Sequence, residues 1–177
     1  MNGYLNEIKK ALDCELYILA LNSALALPDL CAKLESPNFM DTSKVGQRYR
    51  RWYDTYAKKY CYISADLCYS YRNSMIHSHS SYKKDKVTKI AFPVPGTTNC
   101  VMMNSKADIT VSTPEGKYSD KATIINIIEF VKGMIKAVEE WLEVIKENKN
   151  YINNYPFLLQ VRPNSPLSVL DGGLYVY

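Results

Sequence analysis

Three residues in the middle of the chain, Arg72, Asn73 and His77, have the types and spacing needed for acid–base chemistry on a phosphate. Histidine exchanges a proton near neutral pH, and arginine supplies a permanent charge and a fork of donors for phosphate oxygens. On a helix, Asn73 and His77 are four residues apart and share a face, so the amide can orient the imidazole. Arg72 lies about 140° around the helix from His77 at 100° per residue. Two facing copies of the helix would therefore bring both groups to one phosphate.

The pattern Arg-Asn-x-x-x-His resembles the signature of the HEPN superfamily, in which a polar residue follows the arginine and a histidine follows after four to six positions. The resemblance implies a helical domain that forms a homodimer and cleaves RNA without a metal or cofactor, as a toxin or an antiviral effector. By position, Arg72 would stabilise the phosphate, His77 would act as acid or base, and Asn73 would orient His77. His79 also fits the spacing and is the alternative catalytic histidine.

Other interpretations of the same residues stay open. Arg72 could instead form an ion pair with Asp66 or with a more distant acid, and His77 could interact with the C-terminal end of its helix. The whole domain could then be a non-catalytic HEPN-like module, or an inhibitor from a mobile element, that binds a larger protein or a nucleotide. The tyrosine-rich composition and the segment 156–177 favour such a binding role. An antitoxin or a target protein is the partner that these functions imply.

A basic middle segment, residues 44–89, predicts a polyanionic partner. It contains eleven Lys and Arg residues against three acids, a net charge of +8, although the whole chain carries only +4. Aromatic residues interleave with these cations, a pattern that suits stacking and phosphate contact with RNA. The alternative is that Trp52 and its neighbouring tyrosines form the buried stripe of a basic helix. The predicted RNA-contacting residues are Arg48, Arg50, Arg51, Lys58 and Lys59.

The elements that must position the motif are mainly helical. Apolar residues at helical spacing predict one helix of about 25 residues that ends before Pro28, followed by a short helical piece over 28–34. A second helix is predicted over 43–60. A third is predicted from an N-cap at Ser64 to about residue 79. Short β-prone runs at 87–92, 99–103 and 108–112 predict a small insert. Ser119 and Asp120 are predicted to open a long final helix with an apolar stripe from Ile124 to Ile145.

The expected fold is therefore mainly α, a bundle of about four helices with a small β insert between the third and last helices. Its length of 177 residues suits a single HEPN-like domain over 1–155, with the insert at 87–113 and an irregular tail at 156–177. The composition is that of an ordinary globular protein, with 47% hydrophobic and 23% charged residues. We expect no secretory signal peptide and no membrane span.

The cysteines and histidines do not predict a metal site. Five cysteines lie at irregular spacing without a Cys-x-x-Cys pair, and no further ligands accompany Cys68, His77 and His79 at the spacing of a zinc site. Reduced, partly buried thiols in a cytoplasmic protein are the expectation.

Overall fold

The structure is a computed structural model that describes residues 1–78, 89–91, 105–113, 116–158, 161–163 and 174–176. Its helices are α1 (Asn2–Asp13), α2 (Tyr17–Leu34), α3 (Val45–Trp52), α4 (Lys58–Cys61), α5 (Ala65–Ser78), α6 (Ile127–Ile145) and α7 (Lys149–Asn154). A π-helical turn, Tyr53–Ala57, joins α3 to α4, and a 3-10 turn, Tyr155–Phe157, follows α7. The strands are β1 (Lys89–Ala91), β2 (Ser105–Thr113), β3 (Gly116–Ile124), β4 (Val161–Pro163) and β5 (Leu174–Val176). The fold is mainly α, as predicted.

Helix α2 is the centre of the domain, because it packs against α1, α3, α5, α6 and α7. Half of its residues are buried, and all of these are apolar. The helix continues through Pro28 to Leu34. The prediction that the first helix ends before Pro28 is therefore wrong. An internal proline destabilises a helix by about 3 kcal/mol, because it removes one backbone hydrogen bond and its ring clashes with the preceding turn. Packing of α2 against several neighbouring helices offsets this loss.

The predicted first helix is in fact two helices, because the chain turns between α1 and α2. Glu15 adopts a left-handed conformation with φ of 59°, the N–H of Leu16 donates to the carbonyl of Ala11, and the N–H of Glu15 donates to that of Leu12. These paired bonds form a Schellman motif, which usually places glycine at the left-handed position. The break and α7 raise the number of helices above the expected four.

Helix α2 also meets the length and hydropathy expected of a membrane span, over Tyr17–Leu34, although none was predicted. Half of that window is buried against the rest of the domain. A central core helix passes the same test of length and composition, and the packing of α2 is that of a core helix.

The two helices after α2 follow the prediction closely. A continuous helical segment runs from Val45 to Cys61, where 43–60 was predicted, although its middle turn is π-helical. The next helix, α5, begins at the predicted N-cap, since the N–H of Leu67 donates to the Ser64 hydroxyl at 3.2 Å. The motif residues Arg72 and Asn73 therefore lie on a regular helix, as expected.

A small sheet with strand order β1-β3-β2 separates α5 from α6. Strands β2 and β3 are antiparallel, and β1 runs parallel to β3. The prediction that Ser119 and Asp120 open the final helix is wrong, because both lie in β3. Nine residues of β3 pair in register with β2, and α6 begins only at Ile127, where the Asn126 side chain accepts from the N–H groups of Ile128 and Glu129. The predicted strand at 99–103 lies outside the described residues.

In the C-terminal segment, β4 pairs with β5 in an antiparallel manner. The core of the domain combines aliphatic residues of α2 and α6 with large aromatic side chains, of which Trp52, Trp141, Tyr49 and Tyr53 are almost fully buried. The edge of the Trp141 ring meets Trp52, with centroids 6.3 Å apart. These rings hold α6 against the basic helical segment that contains α3.

Gly133 permits a close approach between α6 and α4. A methyl group added at Gly133 would lie 2.9 Å from the backbone oxygen of Tyr60. We expect Gly133→Ala to lower the free energy of unfolding by about 1–3 kcal/mol, because the backbone must move apart. Gly3→Ala is the matched control, since the added methyl meets nothing within 4 Å. Urea unfolding followed by circular dichroism measures both, and equal stability of the two variants would contradict the close approach.

Candidate functional site

The motif lies along the C-terminal half of α5. Arg72 and Asn73 are partly exposed, and His77 belongs to the last turn of the helix by its backbone. The side chain of His77 is outside the described part of the structure, and His79 lies outside the described residues altogether. The helical backbone between Asn73 and His77 provides the predicted spacing of four residues.

Arg72 is held by two side chains that lie on different helices. Its Nη2 donates to Oδ2 of Asp29 on α2 at 2.6 Å, and its Nη1 donates to Oδ1 of Asn73 at 3.0 Å. The side chain of Arg72 is only 18% exposed and that of Asp29 27%. The Nε of Arg72 is buried without a hydrogen-bond partner among the described residues. The guanidinium is therefore fixed in orientation, with one donor still unsatisfied.

This arrangement gives Asn73 a contact that the sequence analysis did not predict. Its amide oxygen accepts from Arg72, so the amide supports the arginine. The amide nitrogen of Asn73 can still donate to a second partner. His77 lies four residues further along the same helical face. One asparagine can therefore connect the arginine to the histidine.

The distant acid that pairs with Arg72 is Asp29, and Asp66 is used elsewhere. Asp66 accepts from Nε of Arg50 at 2.5 Å, and the Arg50 guanidinium lies over the ring of Tyr69, 4.6 Å from its centroid. Sequence reasoning missed Asp29 as a site residue. A signal was present, because a single carboxylate within the apolar run of α2 needs a partner once the helix is buried.

Tyr49 anchors α5 beneath the motif. Its hydroxyl donates to the backbone oxygen of Leu25 on α2 at 3.0 Å and lies 3.1 Å from the sulfur of Cys68 on α5. Burial raises the pKa of Tyr49 well above its ordinary value, and the nearby charge of Arg72 opposes that shift. Tyr49 is thus a neutral structural group that connects three helices one turn before Arg72.

Most of the predicted RNA-contacting cations lie in ion pairs. Arg48 donates to Asp41 at 3.0 Å, Arg50 to Asp66, Lys58 lies 3.6 Å from Asp54, and Lys59 lies 2.6 Å from Glu140. Arg51 is exposed and has no ion pair among the described residues. Two of these carboxylates, Asp41 and Glu140, lie outside the basic segment and so lower the net charge that its sequence suggests. A polyanion would have to exchange with these carboxylates to reach most of the cations.

The buried cysteines among the described residues are not suited to act as nucleophiles. Cys31, Cys61 and Cys68 are buried and Cys14 is exposed. Burial raises the pKa of all three buried thiols, that of Cys68 to about 12, so they stay protonated at neutral pH. Within the described ranges, no group of three or more His, Cys, Asp or Glu residues is placed to hold a metal ion.

Glu35, at the C-terminal end of α2, is a second carboxylate that the sequence analysis did not single out. Its carboxylate accepts a hydrogen bond from the indole N–H of Trp141 on α6. Burial raises the pKa of Glu35, although the Trp141 hydrogen bond and the charge of Arg51 act in the opposite direction. The ionised form of Glu35 is therefore less favourable in the folded chain than in water.

Comparison with known proteins gives no match for this chain. No family model matches it, and no curated protein or solved structure is similar to it. The HEPN resemblance therefore depends on the motif from Arg72 to His77 and on its helical setting, and the function that follows from it is a proposal.

We expect Asp29→Ala to lower the free energy of unfolding by about 1–3 kcal/mol, because it leaves a largely buried guanidinium with one side-chain partner. Asp66→Ala is the matched control, since it removes the aspartate of another Arg–Asp pair whose carboxylate is 81% exposed. Its effect should stay within about 0.5 kcal/mol. Thermal or urea unfolding of both variants measures the difference. A loss for Asp66→Ala as large as that for Asp29→Ala would contradict a special role for the buried pair.

The raised pKa of Glu35 gives a pH-dependent prediction. Its ionised form lowers stability at neutral pH, and this penalty disappears as the pH falls through the folded pKa towards the ordinary value of 4.5. Glu35→Gln keeps an acceptor for Trp141 without the charge, so its stability gain over wild type should be larger at pH 7 than at pH 4.5. Urea unfolding at both pH values tests this, with the exposed Glu143→Gln as the charge-removal control. A gain that grows on acidification would show the opposite sign.

Proposed function

We propose that this protein is a metal-independent endoribonuclease of HEPN type that acts as a homodimer. The observation that carries the proposal is the guanidinium of Arg72, which Asp29 and Asn73 hold in place five residues before His77 on the same helix. A fixed cationic donor can stabilise charge that develops on a phosphate without reorganising during the reaction. The neighbouring histidine supplies the proton transfer that such a reaction needs.

In the proposed reaction, the 2′-hydroxyl of one nucleotide attacks the adjacent phosphorus while His77 accepts the hydroxyl proton. The bond to the 5′-oxygen of the next nucleotide breaks, and a protonated histidine donates a proton to that leaving oxygen. The products are a 2′,3′-cyclic phosphate and a free 5′-hydroxyl. Each chain contributes one His77, so a dimer supplies one imidazole as base and another as acid, and Arg72 stabilises the negative charge on the phosphate.

A face of α2 beside the motif supports the dimeric arrangement. Ile18, Asn22 and Asp29 are separated by four and seven residues and so share one face of α2. Ile18 is 66% exposed, Leu19 beside it is also exposed, and the side-chain oxygen of Asn22 is buried without a partner among the described residues. A second copy that packs here would cover these apolar side chains and bring two motif helices together.

Binding of RNA in this proposal depends on ionic exchange at the basic surface. Arg51 offers an exposed charge, and phosphates compete with Asp41, Asp66, Asp54 and Glu140 for the other cations. Affinity should therefore fall steeply as the salt concentration rises, since each phosphate contact releases counterions. A nuclease of this kind would serve as a toxin or an antiviral effector, with an antitoxin as the partner that restrains it.

The decisive experiment is incubation of the purified full chain with mixed RNA in excess EDTA, followed by analysis of the product ends. We expect 2′,3′-cyclic phosphate ends from wild type and a rate about 100- to 1000-fold lower for Arg72→Lys, which keeps the charge near Asp29 but loses the fork of donors. His77→Ala should abolish cleavage. His79→Ala is the matched control and should have a smaller effect, because a separation of six residues from Asn73 is not the spacing of one helical face.

Two measurements make the outcome interpretable. Thermal unfolding of each variant separates loss of catalysis from loss of folding, and sedimentation of the active sample reports whether the active species is a dimer. If wild type and His77→Ala leave RNA equally intact, the nuclease proposal fails.

The second candidate function is a non-catalytic HEPN-like module, or a mobile-element inhibitor, that binds a larger protein or a nucleotide. The observation that favours it is the engagement of Arg72 by Asp29, together with the pairing of most of the neighbouring cations. In this case Arg72 is a structural link between α2 and α5. Folded, inactive wild-type protein in the cleavage assay would support this candidate.

A further inference from the structure

A cleft of about 560 Å³ lies between α1 and α6. The two helices run antiparallel, because the first residues of α1 lie beside Lys146 whereas Leu12 and Asp13 lie beside Ile128. An ion pair between Lys9 and Glu139, at 2.8 Å, spans the two helices and lies at the edge of the cleft. The volume falls within the range of about 300–1,000 Å³ that is usual for small-molecule sites.

The floor of the cleft is aliphatic. Leu12 and Ile128 are partly exposed and Ile135 is buried beneath them. None of the described residues that line the cleft is aromatic, so the surface does not offer a stacking partner for a planar ring such as a base. The span of α6 from Ile128 to Glu139 is about 16 Å at 1.5 Å per residue, which suits an extended alkyl chain.

The cleft is lined by three lysines, Lys9, Lys132 and Lys136, and by two carboxylates, Asp13 and Glu139. Glu139 is engaged by Lys9, whereas Lys132 is exposed and has no carboxylate partner in the part of the chain that the structure describes. Lys136 follows Lys132 by one helical turn, so both lysines lie on the face of α6 that lines the cleft. Lys136 also lies 4.8 Å from the centroid of the Tyr60 ring, which keeps it next to α6. An anionic group bound at this end of the cleft would be attracted by both lysines.

We propose that this cleft binds an anionic amphiphile with an unbranched alkyl chain, such as a medium-chain fatty acid. The carboxylate contacts Lys132 and Lys136, and the chain lies on Leu12, Ile128 and Ile135. The site contains no residue of α2 or α5 and is therefore separate from the motif of the proposed nuclease. A molecule bound in this cleft would contact both α1 and α6 beside the Lys9–Glu139 ion pair.

The experiment is calorimetric titration of the full chain with laurate below its critical micelle concentration. We expect saturable binding of one laurate per chain, and Lys132→Glu should weaken it about tenfold, because it replaces an attractive charge contact with a repulsive one. Lys146→Glu makes the same charge change at the C-cap of α6, outside the cleft, and should leave binding unchanged. Both lysines are exposed, and circular dichroism of the variants verifies that they fold.

Neutral and membrane-bound probes distinguish this site from general adsorption. Lauryl alcohol carries the same alkyl chain without the charge and should bind at least about tenfold more weakly than laurate. Equal binding of laurate and lauryl alcohol, or equal effects of Lys132→Glu and Lys146→Glu, would overturn the proposal. Binding to vesicles of phosphatidylglycerol with no binding of monomeric laurate would also overturn it, because the anion would then be recognised only within a lipid surface.

Discussion

Burial of half of the residues of α2 is the constraint on which the rest of the domain depends. Five other helices pack on this one helix, and small or aliphatic residues such as Ala20, Ala24 and Leu27 allow them to approach closely. Tertiary packing of this kind supplies most of the stability of a helix in water. It also explains why a proline in the interior of α2 is tolerated. The free energy lost with one hydrogen bond is small compared with the free energy gained by burying the apolar side chains of the helix.

The same burial determines where the carboxylates of α2 can be. Asp29 and Glu35 lie at the border between the buried face and solvent, and each finds a donor on a different helix, Arg72 on α5 and Trp141 on α6. These contacts are directional, whereas apolar packing is not, so they fix how α5 and α6 are rotated about α2. The orientation of the candidate motif is thus a consequence of the core and of one acid, Asp29, at its border.

Local signals in the sequence predicted much of the helical framework. The apolar stripe of α6, including Val131, Met134, Val138 and Trp141, is buried as its period required, and Ser64 caps α5 as its residue type suggested. The errors lie where non-local contacts decide. Pairing of β3 with β2 across nine positions outweighs the helix-capping tendency of Ser119 and Asp120, and a non-glycine residue closes α1.

The candidate site was predictable only in part, for the same reason. The spacing of Arg72, Asn73 and His77 depends on one helix and is readable from a single chain segment. The partner of Arg72 lies 43 residues earlier in the chain, and no periodicity connects the two positions. Likewise, the charges of Arg48 and Lys59 are visible in the sequence, but their neutralisation by Asp41 and Glu140 depends on how the helices pack.

The π-helical turn Tyr53–Ala57 determines the rotational phase of the helical segment that contains it. A π turn holds one more residue than an α turn, so every side chain after it is rotated by about 100° relative to an uninterrupted helix. Trp52 and Tyr53, before and at the start of the turn, are buried in the core, whereas Lys59 and Tyr60, beyond the turn, both reach Glu140 on α6. Two halves of one basic helix therefore present their charges in two different directions, the first beside α5 and the second beside α6.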